Sequence, residues 1–402
     1  MPPIEIAPDV FWVGVNDRET DLFESMWPIQ ESGVSYNTYL IRDEKNVVID
    51  LSKEMMTEPF IQQLKSVIDP SELDYIILNH MEPDHTGALT AIRELAPDAV
   101  ILGTPLVKGF LQNFYNIAEG FKPVSDGETI SLGKYTLQFA HTPNVHWPET
   151  MMTYLQEEKI LFSCDGFGGY GTVPDSIFDD TCENLEYYER ESLRYFATIV
   201  SVFSKPVLMA LKKLSSLEVS MIAPSHGLIW RGNPGRIVEL YRTWSNYARG
   251  PARPEITLLY GSMYGNTARM ADAVAEGIER AGVPFVKIDV ARTEISRILP
   301  ELLTRQGVFV AAPTYEGELF PPMAAVLRMA AQKRIRSRLS AWAGSYGWKS
   351  AAESHYEELI RPMRWEKFDG QEFAGAPMED DLAAGVSLGE KFAEAVKASV
   401  ES

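Results

Sequence analysis

Four apolar runs in the second half of the chain, EITLLYG (255–261), FVKIDV (285–290), GVFVAAPT (307–314) and LSAWAGSYG (339–347), alternate with helical patterns. Strands this apolar have no face to give to water. Joined by helices, they imply a parallel sheet covered on both sides. The first half alternates less regularly. NTYLIRD, NVVIDLS, DYIILNH, AVILGT, YTLQFAHT, MMTYLQEE, KILFSCDG and VSMIAPSHG read as strands, and TEPFIQQLKSVI and GALTAIRELA read as helices between some of them. The fold class is therefore α/β in both halves.

At 402 residues the chain is long for one domain. The seam is the segment Arg249 to Pro254, which carries one glycine and two prolines before the apolar pattern restarts. The expected domains are residues 1–251 and 252–402.

The formal charge of −19 argues against a nucleic-acid partner, because phosphate backbones bind basic surfaces. Two cysteines, Cys164 and Cys182, make no disulfide framework. The N-terminal residues lack the basic-then-apolar pattern of a signal peptide, and no run of eighteen apolar residues suggests a membrane span. A cytoplasmic protein is expected.

Of the six histidines, His80, His85, His141, His146 and His226 fall at the ends of expected strands, and only His355 lies elsewhere. The stretch LNHMEPDHTGAL adds Glu82 and Asp84 beside His80 and His85, and Asp165 follows another strand. Strand mouths can deliver ligands from distant parts of a chain to one point. These imidazoles and carboxylates exceed what one tetrahedral zinc needs and suit two ions, with Asp165 as the bridge. Ligand type alone admits iron, manganese or zinc.

The pattern H-x-E-x-D-H at residues 80–85, with 60, 18 and 60 residues intervening before His146, Asp165 and His226 in turn, resembles the flavodiiron proteins. The resemblance implies an N-terminal metallo-β-lactamase-like αββα domain. Hydrolases of that fold carry a second histidine where this chain has Glu82, and the carboxylate makes the site harder and favours iron. By the resemblance, one iron takes His80, Glu82 and His146, the other takes Asp84 and His226, and Asp165 bridges. His85 matches a position that ligates in some members only. His141 has no ligand counterpart and is expected beside the ligands or substrate. Trp147 and Pro148 are expected to wall the site, and Tyr195 to reach it. The rival reading is a zinc-dependent hydrolase of this fold fused to a flavodoxin-like domain.

In the second half, LLYGSMYGNTARMADAVAEGI is a strand, a loop of small residues and a helix. Backbone N–H groups and the helix dipole at such a turn attract a phosphate. It carries neither the lysine of a P-loop nor the G-x-G-x-x-G of a dinucleotide site. Ser262, Met263, Tyr264, Gly265, Asn266 and Thr267 instead resemble the phosphate loop of flavodoxins, which bind FMN. Two further loops follow later strands, as ligand loops of such sheets do. One holds Pro313, Thr314, Tyr315, Glu316 and Gly317; the other holds Ser345, Tyr346, Gly347 and Trp348. Tyr315, Tyr346 and Trp348 offer flat faces to an isoalloxazine.

Taken over the whole chain, the resemblance implies a flavodoxin-like, doubly wound second domain, FMN and a non-haem diiron site. It also implies reduction of dioxygen to water, of nitric oxide to nitrous oxide, or both. Members pair head to tail as homodimers, in some cases as dimers of dimers, so that one subunit's FMN faces the partner's irons. No C-x-x-C pair of a rubredoxin-type site is present. The donor is expected to be external, a rubredoxin or a reduced deazaflavin.

Overall fold

The computed structural model describes residues 2–401. The chain divides into two compact units, Met1–Arg242 and Thr243–Ser402. The division falls inside the helix Pro234–Tyr247.

The first unit is built on two sheets. One has seven strands, in the order Ile4–Ala7, Val10–Trp12, Tyr39–Ile41, Asn46–Ile49, Leu73–Ile77, Val100–Gly103 and Phe121–Pro123. The other has five, Thr129–Ser131, Thr136–His141, Met151–Leu155, Ile160–Cys164 and Met221–Pro224. Alternate side chains of the two sheets interdigitate in one core, with Trp12, Tyr39, Ile49 and Ile77 from the first against Phe139, Met151, Phe162 and Ala223 from the second. Asn46–Ile49, Leu73–Ile77, Val100–Gly103 and Phe121–Pro123 run parallel. Parallel neighbours need crossovers, and the helices Thr57–Lys65, Leu89–Leu95 and Val107–Tyr115 supply them. In the first of these, Phe60, Ile61 and Leu64 form the buried stripe.

The helical run Leu185–Leu214 is long and apolar enough to cross a membrane, yet 61% of its most apolar window is buried inside the fold. Tyr195, Phe196, Val200, Val207 and Leu211 face the interior, so it is a core helix here. It contains a π-helical segment, Phe196–Val200, directly after Tyr195.

In the second unit the principal strands are all parallel, in the spatial order Phe285–Asp289, Arg253–Tyr260, Arg305–Tyr315, Leu339–Tyr346 and Glu366–Ala374. In chain order this is 2-1-3-4-5, the flavodoxin-like arrangement, whose ligand crevice lies where the winding reverses between the first and third strands. The helices Asn266–Arg280 and Glu379–Glu401 pack backbone against backbone. A Cβ at Gly277 would strike the Val386 carbonyl, and one at Gly389 the Val274 carbonyl. The α/β reading of both halves holds. The last strand of this sheet escaped the sequence pattern: EKFDGQEFA buries only Phe373 and sits at the sheet edge, where no apolar run is needed. The short strands Ile4–Ala7, Val10–Trp12, Phe121–Pro123 and Thr129–Ser131 of the first unit escaped it as well.

Candidate functional site

His80 follows the strand Leu73–Ile77, and its loop is anchored before it begins. The Asn79 amide and side chain donate to the Asp50 carboxylate at 2.8 and 3.0 Å. The His80 ring then has one choice. Its Nδ1–H donates to Glu149 Oε1 at 2.8 Å, which fixes the tautomer and turns Nε2 inward. The Met81 amide donates to the same carboxylate oxygen at 2.9 Å. His226 is set the same way, with Nδ1–H donating to the Ser35 carbonyl at 2.7 Å. Both rings thereby turn Nε2 to the interior, where it can ligate an ion once it has given up its proton.

Two groups result. His80, Glu82, His146 and Asp165 form the first; Asp84, His85 and His226 form the second. In the first, Glu82 Oε2 lies 3.2 Å from His80 Nε2 and 3.0 Å from His146 Nε2. Asp165 spans the pair. Its Oδ2 lies 3.2 Å from His146 Nε2 and 3.4 Å from His80 Nε2, while its Oδ1 lies 2.9 Å from His85 Nε2 and 3.3 Å from His226 Nε2. One carboxylate with its oxygens facing different groups has the geometry of a bridge.

Ligands about 2.1 Å from an ion and at right angles to one another stand about 3 Å apart, the spacing seen here. Hydrogen bonds share that spacing, so the decisive atoms are those that make none. Both Asp84 oxygens, Asp165 Oδ2 and His226 Nε2 are buried without a hydrogen-bond partner among the described residues. Asp84 Oδ2 and His226 Nε2 are only 3.3 Å apart, yet the contact lacks hydrogen-bond alignment. Buried polar atoms left unpaired are costly, and cations shared between them remove the cost. The donor set fits two ions.

The electrostatics agree. Burial opposes the charged imidazole of His146, but Asp165 and Glu82 outweigh it and hold the ring up at about 9. Burial likewise opposes His226, and Asp165 and Asp84 hold it at about 10. Burial would raise the Asp165 carboxyl, but His85, His146 and His226 keep it well below its ordinary range. The pocket is thus anionic in character and takes up cations, protons included.

Aromatic rings close the site. Trp147 meets His80 edge to face at 5.0 Å between ring centroids, and Phe110 backs Trp147 at 5.7 Å. Around His226 stand Phe23 at 5.6 Å, Tyr36 at 5.5 Å and Tyr195 at 5.7 Å. Burial, then Asp165 and Asp84, push the Tyr195 hydroxyl well above its usual value, so it is a neutral phenol. A cavity of about 230 Å³, lined in part by Phe23, Tyr36, Glu82 and Asp84, opens beside the second group. His141 lies outside both groups; its Nε2 is 3.1 Å from the Val124 carbonyl. Glu149, Phe23 and Tyr36 were not singled out from sequence. The signal for Glu149 was available, a carboxylate three residues after His146.

In the second unit the three loops lie at the carboxyl ends of the first, third and fourth strands. The first loop is closed by the Gly265 amide donating to Ser262 Oγ at 3.0 Å, and the helix Asn266–Arg280 starts from Gly265 at φ +93°. Thr267 and Ser345 share a hydroxyl hydrogen bond of 2.8 Å, which joins the first and last loops. Pro313 pairs with Ser345 across the sheet. The middle loop is a hairpin in which Tyr315 pairs with Glu318, with Glu316 and Gly317 at φ +49° and +83°. Met263, Tyr264, Tyr315 and Trp348 are exposed, Tyr264 at 91% and Trp348 at 96%. Exposed rings around a polar helix N-terminus suit a flat ligand with a phosphate.

Comparison with known proteins matches residues 34–227 to the ODP family beta lactamase and residues 258–357 to flavodoxin. The nitric oxide reductase of Moorella thermoacetica is 32% identical over 97% of this chain and 98% of its own. Rubredoxin oxygen:oxidoreductase from Desulfovibrio gigas superposes with a TM-score of 0.94 at 26% identity, covering 100% of both chains. A variant of the flavo di-iron protein from Thermotoga maritima gives a TM-score of 0.88 at 32% identity, over 98% of this chain and 99% of the other.

Proposed function

The chain belongs to the flavodiiron protein family, and from that premise we propose that it is an oxidoreductase reducing dioxygen to water, nitric oxide to nitrous oxide, or both. The observation that carries the reading is Asp165, whose two oxygens face separate histidine–carboxylate groups. We assign His80, Glu82 and His146 to one iron and Asp84, His85 and His226 to the other, with Asp165 shared. FMN belongs to the three loops of the second unit, and the functional division of the chain is drawn at residue 252. When bound, the two irons and reduced FMN supply the redox chemistry, holding between them the four electrons that dioxygen needs.

The residues contribute holding, shielding and proton placement. Glu149 and the Ser35 carbonyl aim the rings of His80 and His226. Phe23, Tyr36, Tyr195 and Trp147 exclude bulk water around the ligands, which strengthens the local field. The Tyr195 hydroxyl, held neutral, remains a hydrogen-bond donor beside His226. His141 is tied to the Val124 carbonyl, and we assign it no part in the reaction.

The zinc-hydrolase reading has less behind it: the full-length relatives reported above are redox proteins by name, and Glu82 takes part in the first group. The donor we assign is a rubredoxin, in line with the name of the D. gigas relative, with a reduced deazaflavin as the alternative. A head-to-tail homodimer in the cytoplasm completes the reading. The test is anaerobic turnover of the iron- and FMN-loaded protein with reduced rubredoxin, following each gas separately. Consumption of either gas supports the reading; consumption of neither, by protein that holds both irons and FMN, rejects it.

A further inference from the structure

His355 lies outside both metal-type groups, in the second unit of the chain. It sits on the helix Ala352–Ile360, with its side chain 16% exposed, under the hairpin that carries Tyr315. The buried Leu319 amide donates to His355 Nδ1 at 3.2 Å. The same helix start donates the Ala351 and Ala352 amides to Thr314 Oγ1 at 3.3 and 3.2 Å. Thr314 and Leu319 face each other across the hairpin, so the helix fastens both of its arms. The turn between them has positive φ at both central residues, one of them Glu316. A non-glycine residue disfavours that conformation, so the hairpin needs such fastening.

We propose that His355 is a positioning residue for the flavin, holding the Tyr315 hairpin through the acceptor nitrogen of its ring. The inference rests on the flavodiiron reading, which places FMN at this hairpin. An imidazole nitrogen that accepts from an amide carries no proton. The charged groups facing His355 leave that acceptor to Leu319. Glu318 Oε2, from the hairpin itself, stands 3.7 Å from Nδ1, but its side chain is 71% exposed and an exposed pair is worth little. Arg328, from the helix Pro321–Gln332, places its guanidinium 3.5 Å from Nε2 and disfavours a second positive charge. On the histidine's own helix, Glu353 and Glu357 are both engaged by Lys367, and Glu358 is exposed.

The test measures FMN dissociation from the full-length flavin-loaded protein by recovered flavin fluorescence, at one fixed pH. Three proteins are compared: wild type, His355→Gln and His355→Leu. Glutamine can accept the Leu319 bond, whereas leucine cannot. The leucine variant should bind FMN about tenfold more weakly than wild type, one hydrogen bond's worth. The glutamine variant should recover that loss. Should circular dichroism show the leucine variant unfolded, His355→Ala, which also lacks the acceptor, takes its place. Equal affinities in all three, or a glutamine variant as weak as the leucine variant, would overturn the clamp and leave the flavin reading standing. A wild type that takes up no FMN would overturn both.

Discussion

The metal-type side chains of the first unit touch one another inside the fold, whereas the flavin loops of the second leave their rings in solvent. Asp165 is 1% exposed and Trp348 is 96% exposed. The first site is set by the chain: Glu149 and Ser35 orient the rings, and aromatic walls shut out water. The second is set in its frame only. The Thr267–Ser345 bond and the hairpin fix the loops, while Tyr264 and Trp348 await a partner for their faces. A small ion with demanding geometry requires ligands organised in advance, and an ion left with misplaced ligands is simply not held. A large flat cofactor brings its own apolar surface and can order the rings that cover it.

The largest effect that would break this contrast is at the bridge. Asp165→Ala should abolish gas reduction, by at least about 100-fold, and strip iron while leaving FMN content unchanged. Retention of two irons in that variant would show that the site does not depend on the bridge. Removing an orienting group should do less. Glu149→Gln should weaken metal affinity by roughly 10–100-fold, measured by competition with a chelator. Unchanged affinity would mean that His80 is held by its own loop.

A single exposed ring should matter less again. Trp348→Ala should weaken FMN binding by about tenfold, as loss of one stacking face does, with iron content intact. A loss of iron in that variant would contradict the independence of the two sites. The smallest effect is in protons. Because His146 is held at about 9 and His226 at about 10 without metal, both rings are protonated at neutral pH and must release protons as ions enter. Metal affinity should therefore rise with pH until those values are passed, and metal addition should acidify a weakly buffered solution. Uptake without acidification would place the ligands elsewhere.

Much of the first site was legible because strand ends carry it. His80, His146, Asp165 and His226 each follow an apolar run, and the short turn after His80 adds Glu82, Asp84 and His85. What the pattern could not show is which ligand-type residues point inward. His141 ends a strand like the others, but its ring binds the Val124 carbonyl instead. Tyr36 and Phe23 come from short strands near the N-terminus with no motif around them. The Ser35 carbonyl that orients His226 is backbone, and any residue type would supply it. In the second unit the apolar strands gave the fold away, while the polar edge strand Glu366–Ala374 did not. The role proposed for His355 depends on a backbone amide 36 positions away, which no spacing rule reveals.

Diffraction from crystals of the iron-loaded full-length protein, recorded at the iron absorption edge, tests the central claim most directly. The account predicts two anomalous peaks about 3.5–4 Å apart, one beside His80, Glu82 and His146 and one beside Asp84, His85 and His226, with an Asp165 oxygen on each. A single peak, or two peaks that Asp165 does not join, would contradict it.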